Sequence, residues 1–317
     1  MITMSLREEI GLLLFGLLVL AIYGLEFIRL IGYLVVRIRQ GSWRAIRLTR
    51  FDLALHAVAV TGILCLLYGY FVEPRWIDVS RMTLHTAKLK GAGFRIVQIS
   101  DLHCDRTARN EERVVRIING LKPDIVVATG DFLNDVAGLP RLRETLSRLE
   151  APLGRFAVTG NFEAFHWTDL DVLAGSGFRV LEQETVVVTK GADALAITGM
   201  GFVRSDSPRE SIHGFTEDRY DVFLFHTPDL VEDFAGRGID LYLCGHTHGG
   251  QVTLPWYGSL ITFSKFGKKY ESGMYRVGDT VLYVNRGLGL EPRPAPQVRF
   301  LARPEIAVFD ILPEKRL

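Results

Sequence analysis

The chain has few cysteines and no excess of charge of either sign. Three cysteines among 317 residues, Cys65, Cys104 and Cys244, are too few and too irregularly spaced for a disulfide framework or a thiolate zinc site. Lysine and arginine together number 37 and aspartate and glutamate 36, so no overall field favours nucleic acid as a partner. The first apolar stretch lacks a preceding basic region and a following Ala-x-Ala site, which argues against a cleaved signal peptide. At this length the chain has room for one large domain and an appendage.

Long apolar runs are concentrated at the front of the chain. Residues 10–36 are almost wholly apolar apart from Glu26 and Arg29, which share one helix face and are expected to pair. A second apolar segment covers residues 51–72. About 20 apolar residues in a helix cross the hydrocarbon core of a bilayer. The two segments therefore predict a transmembrane helical hairpin, and we assign residues 1–75 to a membrane anchor.

The connection between the two apolar segments is basic. It contains no acid and five arginines: Arg37, Arg39, Arg44, Arg47 and Arg50. Because short basic loops stay in the cytoplasm, this bias favours a large domain, residues 76–317, on the extracytoplasmic side of the cell membrane. The alternative is a hairpin that lies partly in the interface, with the arginines on anionic lipid and the domain in the cytoplasm.

The residues beyond the hairpin alternate between strand and helix patterns. Apolar strand patterns are interleaved with helical stripes at residues 111–121, 139–149 and 169–175. This β-α-β-α-β order predicts a mainly parallel sheet with helices on its faces. The part after residue 177 is richer in strands. In open sheets of this kind, ligands collect outside the carboxyl ends of the strands.

Residue types that bind metals stand where predicted strands end. Five such junctions together carry seven of these residues: Asp101, His103, Asp131, Asn161, His226, His246 and His248. A single His-x-His, as in the stretch from Gly245 to Gln251, is weak evidence, because a pair of histidines in a turn is common. Five junctions in one chain are better explained by a shared site. Oxygen and imidazole donors suit Mn²⁺, Fe or Zn²⁺.

In chain order, these residues belong to the motifs Asp-x-His, Gly-Asp, Gly-Asn and Gly-His-x-His. Together with the flanking sequences Ile-Ser-Asp-Leu-His, His-Thr-Pro-Asp and Asn-Arg-Gly-Leu-Gly, these motifs resemble those of the calcineurin-like metallophosphoesterases, and in particular of a membrane-associated bacterial branch. The resemblance covers residues 94–309. It implies an α/β fold of four layers, α/β/β/α, with two divalent metal ions between the sheets. Manganese is the metal that we expect, with iron or zinc as alternatives.

The resemblance also implies the ligands of each ion. One ion would be held by Asp101, His103, Asp131 and His248. Asp131 would bridge to the second ion, which is completed by Asn161, His226 and His246. Two neighbouring divalent ions can activate water and stabilise charge on both sides of an in-line displacement at phosphorus.

One position departs from the family pattern. The family has a histidine after the Gly-Asn pair, whereas this chain has Phe162, which can neither donate a proton nor neutralise a phosphate oxygen. Either the leaving group departs unaided, as a nucleotide can from a pyrophosphate, or His166 supplies the proton. Among the basic residues, Arg293 is the one expected to reach the substrate. The other candidates for binding phosphate, most of which are expected to be solvated surface charges, are Lys265, Lys268, Lys269, Arg299 and Arg303.

The resemblance implies a metal-dependent phosphohydrolase held on the membrane, with a membrane lipid or lipid-linked phosphate as substrate. The family includes pyrophosphatases that act on UDP-2,3-diacylglucosamine in lipid A synthesis, although an extracytoplasmic domain argues against a nucleotide precursor made in the cytoplasm. The alternatives are a broad phosphodiesterase or lipid phosphatase, and a fold retained as a non-catalytic scaffold. The sequence indicates neither a nucleic-acid partner nor a protein partner.

Overall fold

Two long helices begin the computed structural model, which describes residues 4–43, 46–203, 214–216 and 218–314. Helix α1 covers Leu6–Gln40 and helix α2 covers Arg50–Phe71, and each starts with a capping box that satisfies backbone N–H groups of the first turn. Both helices are long and apolar enough to cross a membrane. They suggest a membrane anchor, as the apolar segments predict. Arg44 of the connecting loop lies outside the described residues.

Helices α1 and α2 pack antiparallel and exchange polar contacts. The Glu26 carboxylate lies 2.8 Å from Nδ1 of His56, and Nε of Arg29 lies 3.1 Å from the Asp52 carboxylate. The predicted pairing of Glu26 with Arg29 is therefore wrong, because each side chain finds its partner on the neighbouring helix. The connecting loop and the rest of the chain lie at opposite ends of this hairpin.

Two six-stranded mixed sheets form the body of the protein. The first contains, in spatial order, β1 (Asp78–Thr86), β14 (Glu305–Pro313), β2 (Phe94–Ile99), β3 (Ile125–Thr129), β4 (Arg155–Val158) and β5 (Arg179–Val180). The second contains β12 (Gly273–Val277), β13 (Thr280–Val284), β9 (Leu241–Cys244), β8 (Tyr220–Leu224), β7 (Asp193–Gly199) and β6 (Glu184–Lys190). A separate small hairpin pairs β10 (Thr253–Leu254) with β11 (Gly258–Ser259). Strands β2 to β5 are parallel, and so are β7, β8, β9 and β13. Strand β2 pairs antiparallel with β14, β7 with β6, and β13 with β12.

Helices cover the outer faces of the sheets. Helices α3 (Glu111–Leu121), α4 (Leu139–Ser147) and α5 (Asn161–His166) follow β2, β3 and β4, and α6 (Val231–Phe234) follows β8. Ile118 of α3 and Leu146 of α4 face the first sheet and share one core cluster with Val97 of β2. The outer face of the second sheet has a thinner cover made of α6 and two 3₁₀ turns, Pro228–Leu230 and Gly267–Tyr270.

Alternation along the strands separates the layers of the core. In β2, Ile96 lies in the core between the two sheets, whereas its neighbour Val97 faces the helices. In β8, Val222 lies between the sheets and Phe223 lies on the outer face of the second sheet. All four side chains are fully buried. The architecture is therefore the α/β/β/α sandwich that the resemblance implies, with two mixed sheets in place of one mainly parallel sheet.

The helix predicted at residues 169–175 is absent. These residues form consecutive turns, and the short helix α5 precedes them. The Asp171 carboxylate accepts the backbone N–H of Leu173 at 3.2 Å, and Gly175 has a φ of 73°. A side-chain bond to the backbone and a left-handed glycine both compete with helical hydrogen bonds, so the apolar stripe does not form a helix here.

Candidate metal centre

The predicted metal ligands lie at one edge of the sandwich. Each follows the end of a strand: Asp101 and His103 after β2, Asp131 after β3, Asn161 after β4, His226 after β8, and His246 and His248 after β9. Because β2 to β4 are parallel in one sheet, and β8 and β9 in the other, their carboxyl ends meet at this edge. The structure brings all seven residues together, and all except Asn161 are buried.

Three of these residues, Asp101, His103 and His248, form a first cluster whose donor atoms lie within 4.8 Å of one another. The Nε2 atoms of His103 and His248 are 3.2 Å apart, and Nε2 of His248 is 3.5 Å from the Asp101 carboxylate. Nδ1 of His103 donates a hydrogen bond to the side-chain oxygen of Asn134 at 2.6 Å. That bond leaves the lone pair on Nε2 of His103 directed into the cluster.

Asp131, His226 and His246 form a second cluster, again with donor atoms within 4.8 Å of one another. Nδ1 of His226 donates to the backbone carbonyl of Thr129 at 2.7 Å, and Nε2 of His246 donates to the carbonyl of Phe263 at 3.0 Å. The other ring nitrogens, Nε2 of His226 and Nδ1 of His246, face each other at 3.2 Å. In neutral imidazoles both of these nitrogens carry lone pairs.

Asp131 lies between the two clusters. Its Oδ2 atom is 3.2 Å from Nε2 of His226 and 3.7 Å from Nε2 of His103. Its other oxygen, Oδ1, accepts the backbone N–H of Phe162 at 2.8 Å. The side-chain oxygen of Asn161 lies 2.9 Å from Nε2 of His226. One carboxylate thus contacts a histidine of each cluster, as a bridging ligand must.

The chemistry of the donor atoms fits divalent metal ions. In the second cluster, lone pairs from Nε2 of His226 and Nδ1 of His246 converge with the oxygens of Asp131 and Asn161. Converging acceptors repel one another unless a proton or a cation lies among them. Imidazole nitrogen with carboxylate and amide oxygen is a donor set that suits Mn²⁺, Fe or Zn²⁺.

The electrostatics of the clusters also favour positive charge. Burial opposes a charge on His226, but the carboxylates of Asp131 and Asp101 outweigh it and raise the pKa of His226 to about 10. Burial, together with the neighbouring His226, lowers the pKa of His246. Burial also opposes ionisation of Asp101, yet the imidazole of His248 contributes most to holding the pKa of Asp101 well below its usual range. A divalent cation meets the same demand, and its binding displaces the proton.

The ligand loops have strained backbones and depend on glycine. Five ligands have positive φ angles: Asp101 at 48°, His103 at 42°, Asp131 at 54°, His246 at 71° and His248 at 52°. Such values are uncommon outside glycine and cluster at functional sites. A Cβ atom at Gly245 would lie 2.1 Å from Oδ2 of Asp101, and one at Gly130 would lie 2.7 Å from Nδ1 of His226. A side chain at either glycine would therefore displace a ligand.

Two supporting residues are not apparent from the sequence analysis, Asn134 and Glu163. The Glu163 carboxylate accepts three backbone N–H groups, those of Asp131, Phe132 and Gly160, each at 2.9 Å. Burial and the nearby Asp131 carboxylate raise the pKa of Glu163 to about 7 against these donors. An acid three residues after Gly160 is a capping signal that could have identified Glu163. No sequence signal distinguishes Asn134 from other loop asparagines.

Arg299 is fully buried, so it is not one of the basic residues that are solvated surface charges. Its guanidinium donates to the backbone carbonyls of Gly289 at 2.6 Å, Arg286 at 2.9 Å and Ala302 at 2.8 Å. Nη2 of Arg299 also lies 3.3 Å from Nδ1 of His248. Burial lowers the pKa of Arg299 to about 9. Three carbonyls from separate loop positions make this burial tolerable, and their convergence is invisible in the sequence.

Phe162 and His166 are neighbours on α5. The Phe162 ring stacks on His166, with ring centroids 4.9 Å apart, and meets His103 edge-on at the same centroid distance. Phe162 therefore contacts both a metal-ligand candidate and the predicted proton donor. The His166 side chain itself is exposed.

An arginine-rich cleft of about 660 Å³ adjoins the first cluster. Its volume is typical of sites for small molecules. It extends from Tyr70, near the end of α2, to Asn134, which bonds His103. Its charged lining consists of Arg75, Arg106, Arg109, Arg293, Asp105 and Asp135. Arg293, the predicted substrate-binding residue, is exposed in this cleft.

The amino-acid sequence is similar to those of known phosphoesterases. The calcineurin-like phosphoesterase family matches residues 94–250. YkuE, a metallophosphoesterase of Bacillus subtilis, is 33% identical over 264 residues, which cover 77% of this chain and 89% of YkuE. The UDP-2,3-diacylglucosamine pyrophosphatase LpxG of Chlamydia trachomatis is 26% identical over 326 residues, covering 82% of this chain and 97% of LpxG. The phosphodiesterase YaeI of Escherichia coli is 28% identical over 257 residues, covering 77% of this chain and 92% of YaeI. The chain belongs to the calcineurin-like metallophosphoesterase family and is a metal-dependent phosphoesterase.

Proposed function

We propose that the protein uses two divalent metal ions to hydrolyse a phosphoester or pyrophosphate bond of a lipid-linked substrate at the membrane surface. The observation that carries this proposal is the position of Asp131, whose Oδ2 lies 3.2 Å from His226 and 3.7 Å from His103. A single carboxylate between two imidazole clusters supports a binuclear centre. Manganese is our first candidate for both ions, with iron or zinc as alternatives.

We assign the ligands as the motifs indicate. The first ion takes Asp101, His103, Asp131 and His248, and the second takes Asp131, Asn161, His226 and His246. When bound, the ions supply activation of water and stabilisation of the charge that develops at phosphorus. The chain itself supplies orientation. The carbonyls of Thr129 and Phe263 and the side chain of Asn134 each accept a ring N–H, which directs the opposite nitrogen inward.

The arginine-rich cleft is our candidate for the route by which substrate reaches the centre. It begins beside Tyr70, near the domain-side end of α2, so a substrate held in the membrane would present its headgroup there. We assign to Arg293 the binding of substrate phosphate oxygens, because guanidinium groups bind phosphate through paired hydrogen bonds. The similarity to LpxG, a UDP-2,3-diacylglucosamine pyrophosphatase, supports a lipid-linked phosphate as the substrate class.

The replacement of histidine by Phe162 restricts the leaving group. General acid assistance is typically worth about 10²–10⁴-fold in rate, and Phe162 offers none. We therefore propose a substrate whose leaving group departs with little protonation, such as a nucleotide from a pyrophosphate. His166, stacked on Phe162, is our candidate for whatever protonation remains.

The side of the membrane bears on the choice of substrate. We assign residues 1–75 to the anchor and residues 76–317 to the catalytic domain. Arg37 and Arg39 lie in the last turn of α1, at the end of the hairpin away from the sandwich, which favours an extracytoplasmic catalytic domain. That side favours a lipid phosphatase or a broad phosphodiesterase, a function to which the similarity to the phosphodiesterase YaeI lends support. A cytoplasmic domain would favour UDP-2,3-diacylglucosamine.

The test is metal-dependent hydrolysis by the full-length protein in detergent. The substrates are bis-p-nitrophenyl phosphate and UDP-2,3-diacylglucosamine, each with and without Mn²⁺. Asp131→Ala is paired with Asp279→Ala, since Asp279 is exposed in the turn between β12 and β13 and does not line the arginine-rich cleft. We expect turnover by the wild type and Asp279→Ala, and none by Asp131→Ala.

Three results would contradict parts of the proposal. Wild-type protein that binds two ions per chain but hydrolyses neither substrate would favour the non-catalytic scaffold. Turnover that survives Asp131→Ala would remove the bridging role assigned to Asp131. Hydrolysis of the diester alone would identify the broad phosphodiesterase as the better description.

A further inference from the structure

The loop that follows the metal-ligand histidines of β9 contacts helix α1. This 253–264 loop contains the small hairpin of β10 and β11. Tyr257 packs on α1 at Gly11, where an added Cβ would lie 2.1 Å from the tyrosine hydroxyl. The backbone N–H and the hydroxyl of Thr262 donate to the buried carboxylate of Glu8, at 2.7 and 2.6 Å. The loop is therefore held against the first two turns of α1.

The register of the helical hairpin gives the level of this contact. Glu26 of α1 faces His56 of α2, with 2.8 Å between carboxylate and imidazole. Counting 15 residues back from Glu26 reaches Gly11, and counting 15 forward from His56 reaches Phe71, the last residue of α2. Because both segments rise equally per residue, Gly11 and Tyr257 lie level with the domain-side end of the apolar span. In a membrane crossed by the hairpin, that level is the boundary with water.

Large apolar side chains surround this level and face outward. Trp256 is 104% exposed, Leu301 is 52% exposed and Phe263 is 37% exposed. Leu301 belongs to a neighbouring segment, which joins the loop through the backbone bridge between Phe300 and Val252. Trp256, Phe263 and Leu301 all have positive φ, at 63°, 51° and 54°. Strained backbone that exposes bulky apolar side chains marks a surface with a partner.

We infer that the 253–264 loop inserts its tip, Trp256 with Tyr257, into the headgroup layer of the membrane that holds the hairpin. The partner is the lipid surface itself, since the loop packs against α1 at the end of the apolar span. Tryptophan and tyrosine are the residues enriched at that depth, where an amphipathic ring meets both acyl chain and water. Trp256 is thus an interfacial anchor in addition to the two helices.

The same loop reaches the metal centre. The carbonyl of Phe263 accepts the N–H of His246, and Thr262, the preceding residue, bonds Glu8 of α1. Lipid contact at Trp256 and the second cluster are therefore two ends of one short segment. This inference depends on the hairpin crossing the membrane and is independent of any hydrolytic activity. It places the centre near the height of lipid phosphates.

The experiment measures quenching of Trp256 by brominated lipid. Full-length protein and Trp256→Phe are reconstituted in vesicles of phosphatidylcholine, either plain or brominated near the headgroup end of the acyl chains. The difference between wild-type and variant emission isolates Trp256. We expect brominated lipid to lower this difference by at least about twofold, as for an interfacial tryptophan. Trp256→Phe retains an aromatic ring at a fully exposed position, so it leaves the fold intact.

The matched control is Trp167→Phe, treated in the same way. Trp167 lies in the sandwich, where its indole donates to the carbonyl of Leu133, so its difference emission should be unaffected by brominated lipid. Emission from Trp256 that responds to aqueous acrylamide and not to brominated lipid would overturn the inference in favour of a loop in water. Emission that responds to neither quencher would overturn it in favour of a protein partner, a second copy of this chain included.

Discussion

The first and second clusters present the same kinds of donor atom but support them differently. In the second cluster, Nδ1 of His226 donates to the backbone carbonyl of Thr129 at 2.7 Å. In the first cluster, Nδ1 of His103 donates to the side chain of Asn134 at 2.6 Å. A backbone carbonyl persists whatever residue stands at position 129, whereas one substitution removes the amide of Asn134. The first cluster is therefore the one that substitutions outside the ligand set can loosen.

The contrast recurs at the other histidine of each cluster. His246 donates to the carbonyl of Phe263, whereas His248 is contacted by the side chain of Arg299. Both supports are tied to the apolar helices. The residue before Phe263 bonds α1, and the backbone N–H of Arg299 donates to the carbonyl of Gly69 in α2 at 2.9 Å. These hydrogen bonds therefore connect the apolar helices α1 and α2 with the segments that contact both clusters of candidate ligands.

Neutralising Asp131, the residue that contacts both clusters, should impair the two clusters together. We predict that Asp131→Asn binds at most one ion per chain, because a bridging charge is lost from both clusters. Activity should fall by at least about 10³-fold, beyond the 10–100-fold typical of residues that only orient a ligand. Elemental analysis and hydrolysis of bis-p-nitrophenyl phosphate measure the two effects. Two ions retained in Asp131→Asn would rule out the bridge, and Asp279→Asn, in the exposed turn between β12 and β13, should behave as wild type.

Removing the buried guanidinium would weaken the first cluster and the fold together. Arg299→Met leaves three backbone carbonyls unpaired, and each unpaired buried group costs about 1–3 kcal/mol. We expect a lower free energy of unfolding and loss of one ion per chain. Thermal unfolding in detergent and metal content are the measurements. Arg303→Met, at a partly exposed position that pairs with Asp78, serves as control. An unchanged unfolding temperature would contradict the support assigned to Arg299.

A smaller effect on metal binding is expected from replacing Asn134, whose side chain orients His103. Asn134→Leu should weaken the binding of one of the two Mn²⁺ ions by about 10–100-fold and leave the other unchanged. Asn134→Asp keeps an acceptor for Nδ1 of His103 and should retain tight binding. Titration calorimetry on metal-depleted protein resolves the two binding steps. Equal weakening of both steps by Asn134→Leu would refute the separation of the clusters.

The smallest effect should come from restoring the family's histidine beside the first cluster. Phe162→His should speed hydrolysis of an alkyl phosphodiester by about tenfold, less than the 10²–10⁴-fold typical of a positioned general acid, and leave bis-p-nitrophenyl phosphate nearly unchanged. A poor leaving group needs protonation and a good one does not. The ratio of the two rates is the measurement. If Phe162→His accelerates both substrates alike, the leaving-group explanation of Phe162 fails.

Much of the site could be predicted because its signals are local. The candidate ligands stand directly after apolar strand patterns, and the structure gathers them at one edge. The stripe at residues 111–121 coincides with α3, and the segment at residues 51–72 nearly coincides with α2. The stripe at residues 169–175 has the same periodicity, yet it forms turns, because Asp171 and Gly175 offer the backbone other conformations. Periodicity over seven residues is too short to outweigh them.

By itself, the sequence determined the apolar helices, the order of the strands along the chain and the residue types that follow the strand ends. Only the tertiary structure decided which partner each polar side chain meets. Arg29 pairs with Asp52 across the hairpin, and Arg299 is buried against three carbonyls beside His248. The physical reason is that periodicity and strand ends depend on neighbours along the chain, whereas a buried charge is stabilised by groups that only folding brings within hydrogen-bond distance.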